Sequence, residues 1–314
     1  MTWLMPKYLH ILAKSHVDLS IIILYNICMS IEVFFTDDAS WVLNEAGVFL
    51  RSKPVEHNLI LTLLHARIAR CEPGRYWVAM NSNEAVGVIV QFPLSSRVII
   101  TPMESEVVRT VVDAISDSNI VLPGVGGEAA TAACFAGEWA ERSKCPVFPF
   151  LGLRLYEVDK VQVSSDARGH LRKAVSNDRE LLIDWVSRFS VDTGEQERTS
   201  DEKELQKRKI TAAQTVNNYL SDGHFWLYEN TAPVSMVSRT TAVADVVQVR
   251  FVYTPQEYRN RGYATACVGK ISKQIRDEGN RCILYTDLCN PISNTIYRRL
   301  GYRAVTEAIQ YRFE

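Results

Sequence analysis

Apolar residues along this chain switch between two spacings. In the C-terminal part, Val247, Val249, Phe251 and Tyr253 alternate with Gln248, Arg250 and Val252, which predicts a strand carrying those four on one face. Pro255, lacking an N–H, ends its ladder. After a polar loop, Ala264, Cys267, Val268, Ile271 and Ile275 recur at helical spacing, and Gly279 stands where a C-cap belongs. Cys282 to Thr286 reads as a short apolar strand. Asn290 is then a good N-cap and Pro291 suits the first helical position. Ile292, Ile296 and Leu300 form the apolar face of that helix, and Gly301 stops it. Tyr297 falls beside this face, on the Ser293 side, so it need not belong to the core. Upstream, Asp178 to Phe189 and the charged stretch from Ser200 to Leu220 read as helices. Phe225 to Tyr228 and Ala232 to Arg239 form a hairpin across Glu229, Asn230 and Thr231.

The preceding residues show the same order. Asn58 to Ala69 is helical and ends at Glu72-Pro73-Gly74. Two strands, Tyr76 to Met80 and Ala85 to Gln91, flank the turn Asn81-Ser82-Asn83. Arg97 to Thr101 is a strand, Val107 to Ser116 a helix, the residues after Gly124 a helix through about Trp139, and Phe148 to Val158 a strand. Helix, hairpin, strand, helix, then helix and strand occur twice, an internal repeat. The polar stretch Val163 to His170 suits a linker. These signals predict an α/β chain with a central mixed β-sheet flanked by helices, divided into an extension (1–38) outside the common fold, a first domain (39–163) and a second (164–314). In the extension, Leu19 to Met29 is apolar but short of the ~20 residues a bilayer span needs. Lys7 and Lys14 precede it, Asp18 interrupts it and no A-x-A site follows, so an extension is expected rather than a targeting signal.

Composition narrows the class. The 314 residues are 47% hydrophobic and 23% charged, ordinary for a globular protein. A net charge of −1 gives no global field toward nucleic acid or an anionic membrane. The seven cysteines are odd in number and contain no C-x-x-C, which fits buried free thiols in a reducing compartment, the cytoplasm. The six histidines are not at ligand spacing with cysteines or carboxylates, and no metal is expected.

The chemistry concentrates between the strand ending at Tyr253 and the helix beginning near Ala264. A helix N-terminus offers unpaired N–H groups and partial positive charge, and Gly262 lets several amides converge, so Arg259-Asn260-Arg261-Gly262-Tyr263-Ala264-Thr265 can hold a phosphate. Arg259 and Arg261 add positive potential at its mouth. A tight strand–helix connection with solvated arginines fits the same spacing. The run Arg259-x-x-Gly262-x-Ala264 resembles motif A of the GNAT acyltransferases, Q/R-x-x-G-x-G/A. The run from Asn290 through Ser293 and Tyr297 to Gly301-Tyr302 resembles the element that follows in that family. The resemblance covers about Trp41 to Glu314, firmly over the last 150 residues, and implies tandem GNAT-like folds with a degenerate first half.

It also implies a function: transfer of the acetyl group of acetyl-CoA to a primary amine on a small molecule or peptide. The loop amides would bind the diphosphate, the main chain at Phe251, Val252 and Tyr253 would polarise the thioester, Asn290 would contact the pantetheine arm, and Tyr297 would protonate the thiolate. A half-buried aromatic packed on the sheet is the other reading of Tyr297. The strand carries Gln248 and Arg250 where such enzymes often place a glutamate, so the base stays open among Asp245, Glu257 and water. An acyl-CoA-binding sensor without turnover is the alternative. Trp185, Phe189, Tyr219 and Trp226 are candidate acceptor walls, each equally explained as core. In the first half the matching loop, Thr101 to Glu106, has no glycine and two carboxylates. Gly124-Val125-Gly126-Gly127 mimics a dinucleotide fingerprint, but Pro123 breaks the run before it, and a turn entering a helix is expected there.

Overall fold

A computed structural model describes residues 31–70, 73–162, 167–193 and 199–314. Residues 1–30, Glu72 of the first turn and 163–166 of the linker lie outside the described residues.

Two runs of elements follow one another in the same order. The first is β1 (Ile31–Thr36), α1 (Ala39–Ser52), α2 (Asn58–Arg70), β2 (Arg75–Asn81), β3 (Glu84–Gln91), β4 (Val98–Ile100), α3 (Ser105–Asp117), β5 (Gly124–Glu128), α4 (Ala129–Ser143) and β6 (Val147–Val158). The second is β7 (His170–Lys173), α5 (Arg179–Asp192), α6 (Glu202–Ser221), β8 (Phe225–Glu229), β9 (Pro233–Arg239), β10 (Val246–Tyr253), α7 (Tyr263–Asp277), β11 (Arg281–Asp287), α8 (Pro291–Arg299) and β12 (Arg303–Phe313). The predicted repeat and mixed sheet are thus observed.

All twelve strands form one sheet in the order β1-β2-β3-β4-β5-β12-β6-β11-β10-β9-β8-β7. The order is symmetric about the β12–β6 pair, and each run places its last strand inside the other's territory. β6 pairs antiparallel with β11, from Cys282↔Val158 to Asp287↔Leu153. β12 pairs antiparallel with β5, from Ala308↔Glu128 to Arg312↔Gly124. The two exchanged strands then pair with each other from Arg303↔Glu157 to Phe313↔Val147.

Alternation along β2 shows how the layers form. Tyr76 and Val78 pack under α1 and α2, while Trp77 and Ala79 pack under α3 and α4. In the second run, α5 and α6 cover Phe225, Leu227 and Met236, and α7 and α8 cover Trp226, Val237, Val247 and Leu284. The helical spacing of α7 buries Cys267, Val268, Ile271 and Ile275 fully, each apolar side chain stabilising by about 1.5–3 kcal/mol. The halves also cover each other: Val55, between α1 and α2, packs on Leu155, Val246 and Ile283, and Val243 and Ala244 pack against the core under α1 and α2.

Two expectations are corrected here. Residues 31–36, placed outside the fold with the rest of 1–38, form an edge strand on β2, with Ile31 and Val33 against the core. Gly124 to Glu128 is a strand, not the start of a helix. Its neighbours come so close that a Cβ on Gly124 would lie 2.2 Å from the Tyr311 carbonyl oxygen, and one on Gly127 2.6 Å from Ile100. These glycines serve sheet packing, and Glu128 caps the helix that follows by accepting from Ala130 and Thr131 N–H.

Candidate functional site

β10 and β11 are parallel neighbours, so the junctions that follow them lie at the same end of the sheet. Their ladder runs only from Val246↔Arg281 to Val249↔Leu284. Beyond it β11 keeps pairing with β6 to Asp287, and β10 keeps pairing with β9 to Tyr253↔Met236. A wedge therefore opens between Arg250–Tyr253 and Tyr285–Asp287, where the facing main-chain groups have no ladder partner.

The divergence has a local cause. Between Arg250 and Tyr253 the register against β9 slips by one residue, and Phe251 takes φ 47°. A bulky residue at positive φ is strained, and the surroundings must hold it there. Phe189, Tyr219 and Phe225 surround the Phe251 ring at centroid distances of 5.6, 5.6 and 5.9 Å. The bulge also corrects the predicted face. Val247 and Val249 point toward α7, whereas Phe251 and Tyr253 point toward α5 and α6, because one extra residue inverts the alternation. Val252 packs on the α7 side. The Tyr253 carbonyl accepts from the Ser235 hydroxyl at 3.0 Å.

At the mouth, Asn260 (φ 61°) and Gly262 (φ 77°) curl the chain, and Gly262 caps α7. Ala266 N–H donates to the Gly262 carbonyl, while the amides of Tyr263, Ala264 and Thr265 donate to no described residue. The Tyr263 side chain turns into the core, its hydroxyl accepting from Asn230 at 3.3 Å, so it serves the mouth only through its amide. Arg259 departs from expectation: its Nε donates to the Thr254 carbonyl and its Nη2 pairs with Asp192 at 2.6 Å, which neutralises its charge. Arg261 is exposed and pairs with no described carboxylate.

After β11, Asn290 Oδ1 accepts from Ser293 N–H at 3.0 Å and caps α8 as expected. The apolar face of α8 is rotated from the predicted one: Ile292 is 69% exposed, while Asn294 and Tyr297 are buried. The buried Asn294 accepts a hydrogen bond from the Tyr156 hydroxyl on its Oδ1 and donates to the Asp287 and Asn290 carbonyls, fixing the start of α8. Tyr297 lies against the rings of Tyr302 and Tyr156, at 5.9 and 6.3 Å. Burial drives its phenol well above the usual tyrosine range, opposed by a hydrogen bond with Ser293. Burial also pushes the Cys267 thiol up to about 12, so it is no nucleophile at neutral pH.

Residues 228–311 match the family described as FR47-like protein. A Drosophila protein of known structure superposes with a TM-score of 0.61 at 9% identity, covering 90% of this chain and 98% of its own. A GNAT-family acetyltransferase from Colwellia psychrerythraea gives 0.55 at 9% identity, over 90% and 100% of the two chains. The fold is that of the GNAT acetyltransferases. A GCN5-related N-acetyltransferase from Sphaerobacter thermophilus gives 0.53 at 14% identity, over 76% of this chain and 79% of its own. No curated protein matches the chain in sequence.

On this GNAT fold, sequence reasoning missed three things. The bulge at Phe251 leaves no mark on an unbroken alternation. The loop carrying Val55 and Glu56 comes from the other half, and no local pattern announces it. Burial, and then the Glu56 carboxylate, push the Tyr285 phenol on β11 up to about 12. The third is Arg250, whose Nη1 donates to the Tyr219 hydroxyl at 2.8 Å. Trp185 and Trp226 are core, and Phe189 and Tyr219 wall the bulge. Among the described residues no helix is long and apolar enough to cross a membrane, and no group of three or more His, Cys, Asp or Glu could hold a metal ion.

Proposed function

We propose that the chain transfers the acetyl group of acetyl-CoA to a primary amine on a small molecule or peptide. One observation carries this reading: the β10–β11 wedge opens beside helix amides that no described residue uses. The junction from Arg259 to Thr265 fits a diphosphate through its amides and the αL glycine, with Arg261 adding charge. Acetyl-CoA would supply an activated thioester. Main-chain groups of Phe251 to Tyr253 would polarise its carbonyl, and Asn290, whose Oδ1 is committed to the cap, would offer Nδ2 to the pantetheine arm. Tyr297, kept protonated by burial, would give its proton to the departing thiolate.

An amine with pKa near ~10.4 must lose a proton before it attacks. β10 supplies Gln248 and Arg250 rather than a carboxylate, so the candidates for the proton are Asp245, Glu257 and a water, with Glu56 beside the buried Val55 of the first half as a further carboxylate. That half is read as degenerate. Glu128 caps α4 where Asn290 caps α8, and the seventh residue after each cap is Phe135 in one and Tyr297 in the other. We place the division between the halves at 163/164, within the polar linker. All described cysteines are free, which supports a reducing compartment, the cytoplasm. A sensor that binds acyl-CoA without turnover is the second reading, favoured by the missing strand carboxylate. Titration with acetyl-CoA, then thiol release on an amine panel, separates the two. Binding without turnover on any amine would leave the sensor, and no binding would remove both.

A further inference from the structure

We propose that the acceptor carries a carboxylate beside its amine and that Arg250 binds it. This rests on the acyl-transfer reading above. Arg250 stands on β10 at the root of the wedge, immediately before the bulge. Its guanidinium lies over the Phe251 ring at 5.2 Å and toward the Tyr219 ring at 5.9 Å, and Nη1 holds the Tyr219 hydroxyl. Two aromatic rings and one hydrogen bond fix its plane, and most of its five N–H donors are left for a ligand. Nearby arginines are neutralised: Arg239 by Glu278, Arg259 by Asp192, Arg172 by Asp178 and Glu229. Arg250 pairs with no carboxylate among the described residues.

A second observation points to a ligand in the same place. Ser238 lies directly opposite Arg250 on β9, so both side chains project from the same face. Its hydroxyl belongs to a fully buried residue and has no hydrogen-bond partner. Gln248 is two residues upstream on that face, also buried. This is the face of α5 and α6, whereas α7, whose first amides suit the diphosphate, packs on the other. Arg250 is therefore placed to serve the acceptor rather than CoA. A planar, half-buried guanidinium against apolar rings suits bidentate recognition of a carboxylate.

The test uses the full chain, Arg250→Gln and Arg250→Lys. Acetyl-CoA binding is measured first by calorimetry and should be equal in all three. Thiol release is then followed for amino acids of different size, each paired with its own carboxamide. A charge-assisted pair predicts that the acid exceeds its amide in kcat/KM by at least about tenfold, that Arg250→Gln lowers the acid by at least about tenfold more than the amide and so removes this preference, and that Arg250→Lys restores part of it. Equal use of acid and amide by the parent, or an equal loss on both in Arg250→Gln, overturns the assignment. Where no pair turns over, the comparison is read as binding of N-acetyl amino acids and their amides with CoA present, and equal binding overturns it. Failure to bind acetyl-CoA instead sinks the acyl-transfer reading, and this inference with it.

Discussion

Replacing Tyr297 with phenylalanine removes one oxygen from a packed site. The ring contacts with Tyr156 and Tyr302 remain, so the fold loses only the hydrogen bond with Ser293. Such a bond contributes about 0.5–1.5 kcal/mol, which for a chain of this size shifts the melting temperature by no more than about 3 °C. The chain itself shows that the change is tolerated, because Phe135 fills the equivalent place in the first half at 0% exposure. Catalysis should respond differently. Losing a positioned proton donor lowers turnover by about 10²–10⁴-fold. Single-turnover thiol release, calorimetric titration with acetyl-CoA and a thermal melt together give the split. The expectation is kcat down by at least about 100-fold with acetyl-CoA affinity within about twofold, since only a proton donor is removed. Turnover within about threefold of the parent would refute the role and move the acid elsewhere.

Three further outcomes follow from other residues. Gly262→Glu puts bulk and negative charge on the αL cap and should abolish acetyl-CoA binding in calorimetry; unchanged affinity would count against the diphosphate position. Arg261→Ala should weaken acetyl-CoA by about fivefold, more at low salt, whereas Arg259→Ala breaks a half-exposed pair worth under about 1 kcal/mol and should matter less; the opposite ranking would misplace the charge. His57 is buried against the Leu50 carbonyl, and burial holds its pKa below 6.5. The unfolded chain therefore takes up the proton first, and stability present above pH 6.5 is lost as pH falls through the lowered value. The melting temperature should drop more between pH 7.5 and 5.5 in the parent than in His57→Gln, and equal slopes would remove His57 as the cause.

What was legible in the sequence was local. The cap at Asn290, the left-handed Gly279 that ends α7, the spacing of α7 and the turn at Asn81 to Asn83 each follow from a few neighbouring residues, and each stands where expected. Misses arose where distant parts of the chain decide. A run of glycines reads as a loop until β4 and β12 close on it from either side. Alternation along β10 cannot show that β9 slips against it. Tyr297 looked peripheral because Ile292 and Ile296 outrank it in hydropathy, yet the space beside Tyr156 and Tyr302 takes the ring and leaves Ile292 to solvent. The first strand hid beneath a more strongly apolar run just before it.

Exchange of the last strands makes neither half dispensable to the other. Cutting between 163 and 164 would leave β11 without its outer neighbour and β5 without its own, two raw edges of apolar sheet in place of one closed seam. Fragments produced apart should aggregate, and produced together should reassemble through the β6–β12 zipper. The half with the glutamate cap and the phenylalanine thus supplies the strand that flanks one side of the wedge in the other half.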